Sequence, residues 1–219
     1  EMLNLSVNAP LINGIRWNQF VARFLLKNVL NNKIWDGYFM DNSGGNISWV
    51  NSLIDADNDG SPDDPEALNE AWTMGVRELL FIIREKKGSN FIIIGNKGTL
   101  EFLYSFNDSG EETRLLDGKM FERFPNDYLG NKKNGGWNQS MGNYLMIGFY
   151  AVAQAAQLPK NGEHRLFVLA SALMGDGYYA YGQDVGRWFP EYKKIGQPLE
   201  PAQNRGEYWD RKFSGATVK

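Results

Sequence analysis

The run "FIIIGN" (91–96) decides the fold class. Apolar, largely β-branched residues in an unbroken row, closed by Gly95 and Asn96, are the pattern of a strand covered on both faces, as in a parallel sheet. Upstream, the periodic segment from about Pro65 to Lys87 predicts a long helix, with Pro65 at a first-turn position and Gly88 just past the end. Further out, "DGYFMDN" (36–42) reads as a strand and "GIRWNQFVARFLLKNVLNN" (14–32) as a helix. In that helix Ile15, Phe20, Val21, Phe24, Leu25 and Val29 recur at helical spacing. The short alternation "MLNLSV" (2–7) predicts a first strand.

Downstream the alternation continues. "LLDGKMFERFP" (115–125), "YAVAQAAQ" (150–157) and "DGYYAYG" (176–182) read as strands, separated by helical "WNQSMGNYLMIGF" (137–149) and "EHRLFVLASALM" (163–174). Repeated βα units imply a parallel sheet. No strand is followed by a glycine-rich phosphate fingerprint, so a doubly wound nucleotide binder gives way to a (β/α)8 TIM-type barrel. About six βα units are present, two short of eight, which predicts a barrel incomplete at its N-terminus, with the missing segment supplied upstream or by a partner chain. Residues 1–190 are assigned to the C-terminal three quarters of that barrel and 191–219 to a C-terminal extension that wraps it.

Composition narrows the partners. Twenty-three basic against 26 acidic residues give a net charge of -3, which offers no electrostatic footprint for nucleic acid. No apolar run approaches the roughly 20 residues of a membrane helix, so no membrane insertion is expected. The absence of cysteine removes thiol nucleophiles and thiolate metal sites. Seven Trp, ten Tyr and 13 Phe supply flat surfaces that suit sugar faces, although core packing claims rings of this kind first.

In parallel barrels the working residues lie where strands end. At the predicted strand ends stand Ser6, Asn8, Asp41, Asn42, Asn96, Glu122, Gln154, Gln157, Tyr181 and Asp184. Asp41 after "GYFM" and Glu122 after "KMF" are carboxylates directly following apolar runs. Glycosidic hydrolysis needs two carboxyl groups, one protonating the leaving oxygen and one attacking the anomeric carbon or activating water. Asp41 is assigned as nucleophile or base and Glu122 as acid, with Phe121 and Phe124 raising the Glu122 pKa by desolvation. The alternative is structural, since "DNSGG" (41–45) also fits a strand-exit turn whose Asp accepts loop N–H groups. Asn42, Asn96, Trp49, Trp137 and Tyr181 are the substrate-binding candidates, with Trp35, Trp188, Lys97 and Lys119 behind them.

The most specific string is "DADNDGSPDDPE" (55–66). Counted from Asp55, it places acids at positions 1, 3, 5 and 9, glycine at 6 and Glu66 at 12, the calcium-loop spacing of an EF-hand. The expected calcium ligands are Asp55, Asp57, Asp59, Ser61 through its carbonyl, Asp63 and Glu66. Pro62 at position 8 and the lack of an entering helix predict a lone loop in a βα connection; the alternative is an acidic solvated loop without metal. His164, the sole histidine, is expected to be exposed or capping at a helix start.

In order along the chain, "WDGYFMDN", "DADNDG", "IIIGN", "MFERFP", "RLFVLASALMGDGYYAYG" and "WFPEYKKIGQPLEPA" resemble the hypothetical glycosyl hydrolases with a TIM-barrel fold. The resemblance covers nearly the whole chain and the later strands of the barrel. It implies that Asp41 ends the fourth strand and Glu122 the sixth, similar to the α-galactosidase type of barrel, where acids on those strands act as nucleophile and acid/base. The string "RWFPEYKKIG" (187–196) departs from the family in carrying fewer acids, so no role passes to Glu191. The expected function is therefore hydrolysis of a polysaccharide or glycoconjugate, extracellular or at the cell surface. The rival is a non-catalytic barrel that binds carbohydrate or serves as a structural component of an extracellular assembly.

Overall fold

The computed structural model describes residues 3–96, 104–106, 112–125, 136–155, 162–181 and 189–219. The chain divides into two compact units, Glu1–Asp117 and Gly118–Lys219.

The first unit contains helix α1 (Trp17–Asn28), strand β1 (Gly37–Met40), helix α2 (Pro65–Lys87), strand β2 (Ile92–Asn96) and an antiparallel hairpin of β3 (Tyr104–Phe106) and β4 (Glu112–Arg114). β1 and β2 pair in parallel, from Gly37 opposite Ile92 to Met40 opposite Gly95. The α2 boundaries follow local chemistry. Asp64 caps the N-terminus by accepting from the N–H groups of Glu66 and Ala67, Pro65 occupies the first turn, and Gly88 takes φ 78° beyond the last one. Leu68, Ala71, Trp72, Gly75, Val76, Leu79, Leu80 and Ile83 are buried at the 3.6-residue period, which directs one α2 face to the core.

One expectation fails in this unit. Residues 3–7 form no strand. Val7 N–H donates to the Ala71 carbonyl, and the Leu5 carbonyl lies where a Cβ on Gly75 would stand, so this segment packs on a helix that offers no ladder partner. On α1 the apolar stripe is not the buried one. Asn18 and Ala22 are buried, while Phe20 and Phe24 remain 41% and 49% exposed. The cause is polar docking: Asn18 and Gln19 donate to the two Glu78 carboxylate oxygens at 2.6 and 2.7 Å, and this turns the aromatic stripe outward.

A buried ion pair closes the base of the unit. Arg84 Nη2 lies 2.7 Å from Asp117 Oδ2, and its guanidinium also donates to the carbonyls of Gly88, Phe91 and Leu115. The same Asp117 oxygen accepts from the Ile93 N–H at 2.7 Å, which joins the end of α2 to the start of β2. Burial of such a pair is tolerated because most of its donors and acceptors are met, Arg84 Nε being the buried donor without a partner among the described residues.

The second unit holds strands β5 (Gly118–Glu122), β6 (Ala151–Ala155) and β7 (Tyr178–Tyr181), with helices α3 (Gly136–Ile147) and α4 (Gly162–Leu173) between them. The strands pair in parallel in the order β5, β6, β7, with Glu122 opposite Gln154 and Gln154 opposite Ala180. Phe121, Phe124 and Tyr144 form one aromatic cluster with centroids 4.9–6.3 Å apart, packing β5 on α3. Tyr144 is 1% exposed and donates to the Ala172 carbonyl; burial pushes its hydroxyl pKa up to about 12.

Beyond β7 come the short helix α5 (Tyr192–Ile195) and strands β8 (Gln203–Asn204), β9 (Trp209–Lys212) and β10 (Thr217–Val218), which form an antiparallel sheet in the order β10, β9, β8. Arg211 on β9 fastens this sheet to the α4–β7 connection. Its guanidinium donates to the carbonyls of Leu173 and Gly175 and to the Asp176 carboxylate, the last at 2.6 Å. Asp176 thus anchors an arginine.

Parallel strands alternating with helices make this an α/β chain. Among the described residues there are five parallel strands, two in the first unit and three in the second, and no closed barrel is found in them.

Candidate functional site

The C-terminal ends of the parallel strands carry the polar groups. At the end of β1 the chain passes through Asp41 into Asn42, which adopts φ 51°, a left-handed conformation that Asn tolerates better than most residues. Asp41 is exposed, and its Oδ1 accepts from the Asn42 N–H at 2.9 Å and from Asn96 Nδ2 at 2.8 Å. Asn96 closes β2 one register step beyond the Met40–Gly95 pair, and this brings it beside Asp41.

The Asn96 side chain is only 5% exposed. Its backbone carbonyl accepts both the N–H and the hydroxyl of Ser43, at 2.9 and 2.8 Å, so the β1 exit loop is tied to the β2 end at three points. The amide orientation follows from charge, because a flip would set its oxygen against a carboxylate. The other amide atom, Oδ1, is buried without a hydrogen-bond partner, an acceptor left beside the candidate carboxylate. Asn42 is exposed at the same turn.

Glu122 is the last residue of β5 and is half-buried. Alternation along the strand sends it to the face opposite Phe121, and Phe121 packs on α3, so Glu122 points to the sheet face away from that helix. Gln154 and Ala180 share its face through the register. Lys119 lies on the Phe121 side with Nζ 5.3 Å from that ring, and burial lowers its pKa.

The remaining candidates are dispersed. Tyr181 sits on the helix side of β7, its hydroxyl 3.2 Å from His164 Nδ1 and its ring against Phe189. His164 itself is fully buried, not exposed as its position near the α4 start suggested. It belongs to the stripe of His164, Val168, Ser171 and Ala172 that faces inward at helical spacing. Trp49 is 66% exposed and donates its indole N–H to the Asn46 carbonyl. Trp137 at the α3 start donates to Ser171 Oγ at 2.9 Å. Lys97, Gln157, Asp184 and Trp188 lie outside the described residues. Glu191 is held by Arg165 at 2.6 Å.

In the acidic loop, carboxylate oxygens of Asp55, Asp57 and Asp59 lie within 4.8 Å of one another. Three carboxylate oxygens this close together are of the kind that a hard cation takes as ligands. Gly60 at φ 92° makes the bend, and no helix is found over residues 41–54 before the loop. Asp63 Oδ2 accepts from the Ala56 N–H at 2.6 Å, and Glu66 stands in the first turn of α2. The Asp59 N–H pulls the Asp57 pKa down, yet partial desolvation, the charges of Asp59 and Asp63 and a hydrogen bond that protonated Asp57 donates to Asp55 outweigh it, so the net shift is upward. Such a cluster concentrates negative charge that a hard cation would neutralise.

Sequence reasoning missed the Arg84–Asp117 and Arg211–Asp176 pairs. Neither has a local signal, because 33 and 35 residues separate the partners.

An α/β chain with carboxylates at the C-terminal ends of parallel strands has the layout on which glycosidases and many other hydrolases are built. The chain belongs to hypothetical glycosyl hydrolase family 15, which it matches over residues 6–217. No curated protein matches it.

Proposed function

We propose that the protein is a glycoside hydrolase that cleaves a polysaccharide or glycoconjugate with Asp41 and Glu122. The observation that carries this reading is that, in a family named for glycosyl hydrolysis, both acids stand at the C-terminal ends of parallel strands. In this reading the strands belong to a (β/α)8 barrel completed by a further segment or a partner chain, and the protein acts outside the cytoplasm. Glu122 protonates the glycosidic oxygen as the bond to the anomeric carbon breaks. Asp41 either attacks that carbon or takes a proton from the attacking water. A carboxyl separation of about 5–5.5 Å would give retention and about 6.5–9.5 Å inversion. Asn96 holds Asp41 in one orientation and offers its Oδ1 to a sugar hydroxyl; Asn42, Trp49 and Tyr181 complete the proposed strand-end contacts, and Trp137 meets the saccharide elsewhere, on the α3 side. Calcium bound by Asp55, Asp57, Asp59, the Ser61 carbonyl, Asp63 and Glu66 would stiffen the β1–α2 connection and take no part in chemistry.

The test is Asp41→Asn and Glu122→Gln, each assayed for polysaccharide and aryl-glycoside hydrolysis with circular dichroism as the control for folding. Each variant should lose turnover and keep its fold; full activity in both removes the assignment. One observation favours a second reading, a non-catalytic carbohydrate-binding or structural component: Asp41 Oδ1 already accepts two N–H groups, as a strand-exit turn requires. Glycan binding without turnover across a broad panel would decide for it.

A further inference from the structure

The second unit contains an open cleft of about 480 Å3 between α3, α4 and the turn joining β8 to β9, and Glu122 is not among its lining residues. That volume lies within the range of about 300–1,000 Å3 typical of small-ligand sites. We propose that this cleft is a saccharide-binding site, separate from the strand-end carboxylates.

The walls are prepared for rings. The Trp137 indole is held through its only donor, which bonds Ser171 Oγ at 2.9 Å, while Ser171 donates to the Phe167 carbonyl at 2.9 Å. Its plane is therefore set before any ligand arrives, and its faces carry no polar group that needs one. Across the cleft, Tyr208 is 46% exposed on a two-residue turn. Arg205 N–H bonds the Tyr208 carbonyl, and Gly206 at φ 93° occupies the first central position, the conformation that lets a tight turn follow the strand twist. A rigid hairpin thus presents Glu207 and Tyr208 to the cleft.

The polar lining decides the ligand class. Asn138 and Asn204 bring both donors and acceptors, and Glu207 brings an acceptor. A polyanion would meet the Glu207 carboxylate with only Lys219 to oppose it, and a hydrocarbon would strip water from three polar side chains without replacing their hydrogen bonds. A pyranose chain has apolar C–H faces for the rings and hydroxyls that both donate and accept. The choice of ligand class rests on the glycoside hydrolase reading, whereas the cleft stands without the two acids. Such a site would keep a polymer on the protein between encounters with the strand-end groups.

The experiment is calorimetric titration of the full chain with maltohexaose, cellohexaose, xylohexaose, chitohexaose and galactohexaose. The wild type is compared with Tyr208→Ala, Asn138→Ala and Asp41→Asn, and circular dichroism checks folding. At least one hexasaccharide should bind, with affinity at least tenfold weaker in Tyr208→Ala and Asn138→Ala and unchanged in Asp41→Asn. Binding that survives both cleft variants, or no binding by any of the five sugars, overturns the proposal. Sugar binding lost only in Asp41→Asn also overturns it, yet leaves the hydrolase reading standing. Inactive but cleft-competent protein would do the reverse.

Discussion

Asn96 donates a hydrogen bond to Asp41 at 2.8 Å, linking the ends of two parallel neighbours that lie 55 residues apart. Asn96→Asp replaces that donor with a second carboxylate at hydrogen-bond distance. Like charges at that distance disfavour full ionisation, so the two carboxyls would keep one shared proton to higher pH. If Asp41 must be ionised to act, the acid limb of the pH–rate profile moves upward by about one unit or more and hydrolysis at neutral pH falls. An unmoved acid limb would show that Asn96 does not govern Asp41.

Asp117→Ala leaves the buried Arg84 guanidinium without its charge partner and also frees the Ile93 N–H. Breaking such a pair from one side costs about 3–5 kcal/mol. Urea unfolding should register that loss, and the double variant Arg84→Met with Asp117→Leu should recover much of it. Equal stability of Asp117→Ala and wild type would mean that the pair contributes nothing net.

Saturating calcium should raise Tm by about 5–10 °C, the effect expected for a chain of this size at about a hundredfold excess over Kd. The rise should vanish in the double variant Asp57→Asn with Asp59→Asn, because those carboxylates belong to the three-oxygen cluster. Magnesium should give less, since it demands a tighter octahedron than this loop's geometry suits. Identical melting curves with calcium and with chelator would dispose of the metal reading.

Tyr144 predicts an alkaline limit. Its hydroxyl pKa lies at about 12 against the ordinary 10.0, because burial disfavours the phenolate. Between those values the folded chain keeps a proton that the unfolded chain has released, so stability falls as pH rises through that window and is unaffected below it. The loss reaches roughly 2–3 kcal/mol by the top of the window, and Tyr144→Phe should flatten the slope. Chemical denaturation at pH 9, 10 and 11 measures it; the same slope in both proteins would assign the alkaline limit to other groups.

Local chemistry made most of the elements legible. The boundaries of α2 follow from Asp64, Pro65 and Gly88, residues whose preferences act over one turn, and β2 follows from an apolar run closed by glycine and asparagine. The strand expected over residues 2–7 failed because periodicity records which side chains alternate, not what the backbone has to pair with. The outward stripe of α1 has a related cause. Which face of a helix is buried depends on its neighbour, and here Glu78 claims Asn18 and Gln19.

By itself the sequence determined the α/β order, the positions of Asp41 and Glu122 at strand ends, and the acid spacing of the 55–66 loop, since each is set by residues close together in the chain. Only the tertiary structure decided that Asn96 would grip Asp41, that His164 would be buried, and that Arg84 and Arg211 would find their carboxylates. Those contacts join residues 17 to 55 positions apart, and hydrogen bonds of a few ångströms act only after folding has brought the partners together.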